Sequence, residues 1–337
     1  MTNSQDRIGA VDAWASPCLP GYAQRFPEEF KHIFRRYGSF QRFEEGVSVE
    51  QMLAEMDEAG VEMAVLSAFY YEGVEIAGNE LVADLVRQHP DRFVIGAGTL
   101  DPRGKPMDVI HRARYLVEDL GLRAIRLEPY AYGNGMWAPP PSDKMYWPVY
   151  IACAEVGVPV CIQVGHTGPL LPSECGRPIH LDEVALAFPD LTIIGCHLGQ
   201  PWHEEMMTLA WKHSNLYVET SARPAKRWPE SFVHFVRTWG QDKVIWATDY
   251  PLLSFQRCRD DVDALDLPFE AKKKLLRDNA MRAFKIDGWM AGWLDREQRS
   301  KAQGAGSEEG DVHAPCSLFL APGWRDKLPC LSGRHEA

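Results

Sequence analysis

The chain has 337 residues, 45% of them hydrophobic and 25% charged, which is the balance of a globular protein and a length that suits one α/β barrel. A net charge of −11 argues against nucleic acid or anionic membrane as partner, because both demand a basic face. No apolar run approaches the ~20 residues of a membrane span. The polar start "MTNSQDRIGA" does not read as a signal peptide. The eight cysteines form no C-x-x-C pair, so reduced thiols and a cytoplasmic setting are expected.

In chain order, "IGAVDAW" reads as a first strand, followed by a long polar and aromatic excursion to about Gly46. "SVEQMLAEMDEAG" is a helix opened by a capping box, Ser48 with Gln51, and stopped at Gly60. Met52, Leu53 and Met56 form its buried stripe. "EMAVLSA" is the second strand, "NELVADLVRQHPDRF" a helix ending before Pro90, and "FVIGAG" the third strand. The helix "MDVIHRARYLVEDLG", the strand "LRAIRLE" and the helix "YWPVYIACAEVG" follow. "VPVCIQV", "LTIIGC", "NLYVET" and "KVIWAT" supply the fifth to eighth strands. Such fully apolar runs suit parallel strands covered on both faces, and the β/α alternation predicts a (β/α)8 TIM-type barrel over residues 1–286. The long first loop lacks G-x-G-x-x-G, which weakens a doubly wound nucleotide-binding sheet. Residues 287–337 carry low-complexity sequence and no sustained period, and read as a largely disordered C-terminal tail.

A parallel barrel places its active site at the C-terminal ends of its strands, so polar residues there carry the weight. His166 in "CIQVGHTGP", His197 in "IIGCHLGQP" and Asp249 in "VIWATDYP" repeat one placement after an apolar strand. Their ionisable groups suit proton transfer or metal ligation. Arg126 and Glu128 end the fourth strand. Arg126 there can hold a substrate carboxylate bidentately or form a structural salt bridge. No G-x-S-x-G elbow is present, so covalent nucleophilic catalysis is not indicated.

"GHTGP", "CHLGQPW", "WATDYP" and "DNAMRAF" together resemble the amidohydrolase-related family of the metal-dependent hydrolase superfamily, over roughly residues 8–286. The resemblance implies a distorted TIM barrel, a small-molecule substrate and a homodimer. It also implies a first-strand D-x-H-x-H whose two histidines hold a metal with a His after strand five and an Asp after strand eight. Asp12 matches the leading Asp, but Trp14 and Ser16 stand where the histidines belong. An indole N–H only donates, and a hydroxyl is a poor ligand for a borderline-soft ion. The expectation is therefore no metal, or a weakly bound divalent ion (zinc first) held by His166 and Asp249 with help from Asp12. Similarity to the metal-free pyrone lactonase branch gives the leading reading. It is a hydrolase of a small cyclic carboxylated compound in which Asp249 activates water and His166 and His197 assist. Trp14, Ser16 and Arg126 would bind the substrate, Trp14 by stacking on a flat ring or else as a plug filling the metal pocket. A metal-dependent decarboxylase of an aromatic or muconate-type acid is the alternative, and an inactive binding barrel the third possibility. Trp137, Trp147, Trp202 and Tyr250 supply an aromatic barrel mouth in this reading.

Overall fold

The computed structural model describes residues 8–134 and 136–288. Strand β1 (Ala10–Ala15) leads into a segment that carries helices α1 (Glu28–Tyr37) and α2 (Phe40–Glu45) before α3 (Val49–Ala59). The expected cap is present: Ser48 accepts the Gln51 N–H at 3.2 Å, and Gly60 closes α3 at φ +66°. Strand β2 (Val61–Ser67) is followed by a hairpin of β3 (Phe69–Tyr71) and β4 (Val74–Ala77), then α4 (Asn79–Gln88). Five further β/α steps follow: β5 (Phe93–Thr99) with α5 (Pro106–Glu118), β6 (Ala124–Leu127) with α6 (Trp147–Val156), β7 (Val160–Gln163) with α7 (His180–Ala187), β8 (Ile193–Cys196) with α8 (His203–Lys212), and β9 (Leu216–Glu219) with α9 (Glu230–Arg237). Strand β10 (Val244–Ile245) precedes α10 (Phe255–Asp263), α11 (Phe269–Lys273) and α12 (Asn279–Ala283).

The main sheet runs β1-β2-β5-β6-β7-β8-β9-β10, and all of its pairings are parallel. This is the TIM-type barrel expected from the run of apolar strands. Two sets of side chains fill it. Val11, Met63, Val65, Ile95 and Ile194 belong to a lumen core, so the barrel is packed and is not a pore. The strands' other faces pack on the helices. At the barrel's N-terminal end Arg277 donates to the Gly9 carbonyl at 3.0 Å, and Ala280 and Phe284 join the lumen core.

Two features escaped the sequence reading. Helices α1 and α2 occupy the excursion before Gly46; Phe30 packs on Phe69 and Tyr71 of the hairpin, and Phe34 stacks on Phe43. The β3–β4 hairpin turns at Glu72 and Gly73, both at positive φ, as a tight two-residue turn requires. The expected tail, residues 287–337, lies almost wholly outside the described residues. The six described cysteines are free and buried. No described helix is long and apolar enough to cross a membrane.

The barrel closes between β1 and the chain after β10. Ala13 N–H donates to Trp246 O (3.2 Å), Asp249 N–H to Trp14 O (3.0 Å), and Ser16 N–H to Tyr250 O (2.8 Å). Asp12, fully buried, pins this seam: its carboxylate accepts the Thr248 hydroxyl at 2.6 Å and the Thr248 and Trp14 N–H groups at 3.0 Å each. Asp12→Ala orphans three buried donors and is expected to cost about 3 kcal/mol in urea titration. Unchanged stability would show that the seam does not depend on it.

Candidate active site

Beyond the C-terminal strand ends lies an inner pocket lined by Ser16, Arg126, Gln163, His197 and Asp249. Phe26, Phe30, Phe34 and Phe69 cover it from α1, the chain before it and the hairpin. Sequence reasoning placed the aromatic mouth elsewhere. Trp137 is 60% exposed, and Trp147 packs on Phe188 outside the barrel (ring centroids 5.4 Å apart). Of the four aromatics proposed, Tyr250 lines the pocket.

Trp14 is not a platform for substrate. It is 2% exposed, and its ring face carries the Arg126 guanidinium, whose carbon lies 3.2 Å from the ring centroid. The His197 ring meets Trp14 edge-on at 5.3 Å. Phe69 flanks the same guanidinium at 5.4 Å. A desolvated cation–π contact of this kind contributes up to about 2 kcal/mol. The plug alternative for Trp14 is thus the one the packing supports, with a cation fixed on top of the plug. Arg126 is further held by an ion pair to Glu128 and by donation to Ser67 Oγ at 2.8 Å. Glu128 in turn accepts the Tyr130 hydroxyl. Arg126 therefore makes the buried salt bridge foreseen as one of its two roles, and it lines the pocket.

His197 sits at φ +60° directly after β8, followed by Leu198 and Gly199 at +61° and +68°. Its Nδ1 lies 3.2 Å from Ser221 O and 2.7 Å from Ser221 Oγ, and Oγ donates to Glu219 Oε2 at 2.8 Å. A carbonyl only accepts, so Nδ1 carries the hydrogen and Nε2 keeps its lone pair. Burial, then the positive charges of Arg223 and Arg126, hold His197 well below the usual histidine range, so it is neutral. Asp249 adopts φ +65° and is partly buried. Desolvation raises its carboxyl to about 6 against the opposing pull of Arg126, with Glu128 adding to the rise. Glu219, fully buried behind His197, is raised by desolvation to about 8.

His166 is not with them. Gly165 turns at φ +87°, and a Cβ there would fall 2.5 Å from Gln200 O. Gly165 N–H donates to Gly176 O (2.6 Å) and His166 N–H to Gln200 O (2.8 Å). With the backbone packed inward, the His166 side chain is exposed and lines a neighbouring groove, its Nδ1 3.1 Å from Thr167 O. Partial burial, then Arg223 and Arg36, lower its pKa.

These placements bear on a metal. Trp14 is covered by a guanidinium, Asp12 is engaged at the seam and His166 faces the groove. A divalent site needs several converging anionic or imidazole donors. Among the described residues no three His, Cys, Asp or Glu side chains converge to hold an ion. The donor set does not fit a metal, and the metal-ligand roles foreseen for His166, Asp249 and Asp12 find no common site.

Two residues were missed, Gln163 in the inner pocket and Arg223 in the neighbouring groove. Gln163 ends β7, is buried, and spends its amide N–H groups on Val164 O and His166 O at 3.3 Å each, leaving Oε1 without a partner at the pocket. A Gln closing an otherwise apolar strand was the available signal. Arg223, after β9, acts electrostatically on both His197 and Asp249. "TSARP" gave little warning of it.

The fold and site define a barrel of the amidohydrolase type. The Amidohydrolase family profile matches residues 34–286, and the chain belongs to that family. It is 25% identical over 289 residues to a gamma-resorcylate decarboxylase of Rhizobium radiobacter, across 69% of this chain and 86% of that one. A solved TIM-barrel protein of Bordetella bronchiseptica, of uncharacterised function, superposes with a TM-score of 0.70 at 24% identity, over 83% of this chain and 99% of that one. The 5-carboxyvanillate decarboxylase of Novosphingobium aromaticivorans, solved with manganese and a nitrobenzoic acid ligand, gives 0.63 at 19% identity, over 84% of this chain and 98% of that one. The manganese belongs to that relative.

The neutral state of His197 is directly testable. Nitrogen NMR of labelled protein is expected to show His197 still unprotonated, with hydrogen on Nδ1, at a pH where an ordinary histidine is protonated. An imidazolium at that pH would contradict the electrostatic account.

Proposed function

We propose that this protein is a carboxy-lyase for a small planar cyclic acid with a hydroxyl beside its carboxylate, working with the fixed Arg126 guanidinium as its source of positive charge. The observation that carries the reading is Asp249, a carboxyl raised to about 6, set with neutral His197 in a pocket floored by the Arg126–Trp14 stack. The similarity to a gamma-resorcylate decarboxylase supports the reaction class over the hydrolysis expected from sequence.

In this mechanism the free N–H groups of Arg126 and the Ser16 hydroxyl seat the carboxylate. His197 Nε2 accepts a hydrogen bond from the ring hydroxyl and pushes electron density onto the carbon bearing the carboxylate. Gln163 Oε1 offers a second acceptor to a ring hydroxyl. Protonated Asp249 delivers its proton to that carbon, the carbon–carboxylate bond breaks, and its electron pair restores the ring as CO2 leaves. Asp249 is then reprotonated from solvent. The net change is one acid anion plus one proton to one ring compound plus CO2.

Hydrolysis of a cyclic ester uses the same groups with the opposite protonation, Asp249 as the base that activates water. The two reactions separate by pH. A proton-donating Asp249 gives a rate that is flat below about pH 6 and falls about tenfold per unit above it. A basic Asp249 gives a rate that rises through the same value. For 2,6-dihydroxybenzoate and its analogues, CO2 release with the falling profile is expected, and Asp249→Asn should lower kcat by about 10²–10⁴. Turnover of lactones with a rising profile would replace this reading with the hydrolase.

A further inference from the structure

Outside the inner pocket and sharing Ile33 and Gly168 with it lies a groove of about 740 Å³. The inner pocket measures about 80 Å³. An apolar cavity of about 150 Å³ is known to hold one benzene, so the inner pocket takes the reacting end of an acid and leaves the rest outside.

The groove's charge is unlike that of the molecule. The chain carries −11, yet Arg36, Arg223, Arg227, His32 and His166 line the groove and no carboxylate does. Elsewhere arginines meet carboxylates, as Arg103, Arg114, Arg177 and Arg237 do. Arg36, Arg223 and Arg227 have no such partner among the described residues. Arg223 is the telling member. It is 8% exposed and its Nε has no hydrogen-bond partner; burial lowers its pKa, although Tyr37, Asp249 and Glu219 favour its charged form. No carboxylate among the described residues forms an ion pair with it, so a ligand anion would relieve part of the cost of burying its charge. Trp228 lies against the same wall, its indole N–H donating to Arg223 O at 2.8 Å, and offers an apolar edge for the connecting part of a ligand.

We propose that the groove is a second anion subsite: the substrate is a dianion whose reacting carboxylate enters the inner pocket while a remote carboxylate rests on Arg36, Arg223 and Arg227. This rests on the inner pocket being the seat of the reacting carboxylate. It narrows the substrate class from a cyclic monoacid to a dicarboxylic acid.

The test measures binding by calorimetry of benzoate, isophthalate, terephthalate and 4,4′-biphenyldicarboxylate. At least one dicarboxylate is expected to bind about tenfold more tightly than benzoate. In the double variant Arg36→Gln/Arg227→Gln, whose side chains are exposed, that preference should shrink to about twofold or less while benzoate affinity and Tm stay unchanged. Equal binding of mono- and dicarboxylates, or a preference that survives the double variant, overturns the subsite. If no probe binds, the subsite and the inner-pocket reading fall together. If the dicarboxylate preference holds but no bound acid releases CO2, the lyase reading falls and the subsite stands.

Discussion

A guanidinium lying flat on an indole governs the rest of the site. Trp14 fills the volume at the end of β1, and Arg126 from β6 closes over it at 3.2 Å, held by Glu128 and Ser67. That stack puts permanent positive charge at the head of the barrel without any proton or ion to lose. It lowers the basicity of His197 and opposes the desolvation that raises Asp249. Burial dominates the charge states of both residues, and the Arg126 charge adds to it at His197 and opposes it at Asp249. Any substrate that enters meets a cation, a neutral imidazole and a carboxyl that titrates near neutrality.

The support behind these groups is as specific as the groups themselves. Glu219 and Ser221 fix the His197 ring from behind, and the Asp12–Thr248 bonds hold the seam from which Asp249 projects. His197 and Asp249 both sit at positive φ, a backbone state non-glycine residues avoid unless their surroundings hold them there. Of the two cavities, the inner pocket is small and the groove beside it is wide and cationic.

The barrel was legible because fully apolar strands at β/α spacing admit few architectures, and caps such as Ser48–Gln51 and Gly60 were local. The placement of His197 and Asp249 at the strand ends was legible for the same reason, since His197 directly follows β8 and Asp249 comes shortly after β10. His166 follows one too, and was misplaced because its direction depends on how Gly165, Gly176 and Gln200 pack their backbones, a contact between three distant segments. That Trp14 and Ser16 stand where the resemblance would put two histidines was visible at once. That Arg126 would occupy the face of Trp14 was not, because the pairing joins β1 to β6 across the lumen. The aromatic cover was misassigned because tryptophans attracted attention while the phenylalanines of α1, at helical spacing within a polar stretch, did the covering.

The proposed role of Arg126 is to supply, in place of a bound ion, the positive charge at the strand ends. It is tested most directly by a crystal structure of the protein grown with excess manganese and 2,6-dihydroxybenzoate, with anomalous data collected at the manganese edge. The account predicts the carboxylate within hydrogen-bond distance of Arg126, with Trp14 still beneath the guanidinium and no anomalous peak in the inner pocket. A manganese peak coordinated by Asp249, with Arg126 displaced from the indole, would contradict it.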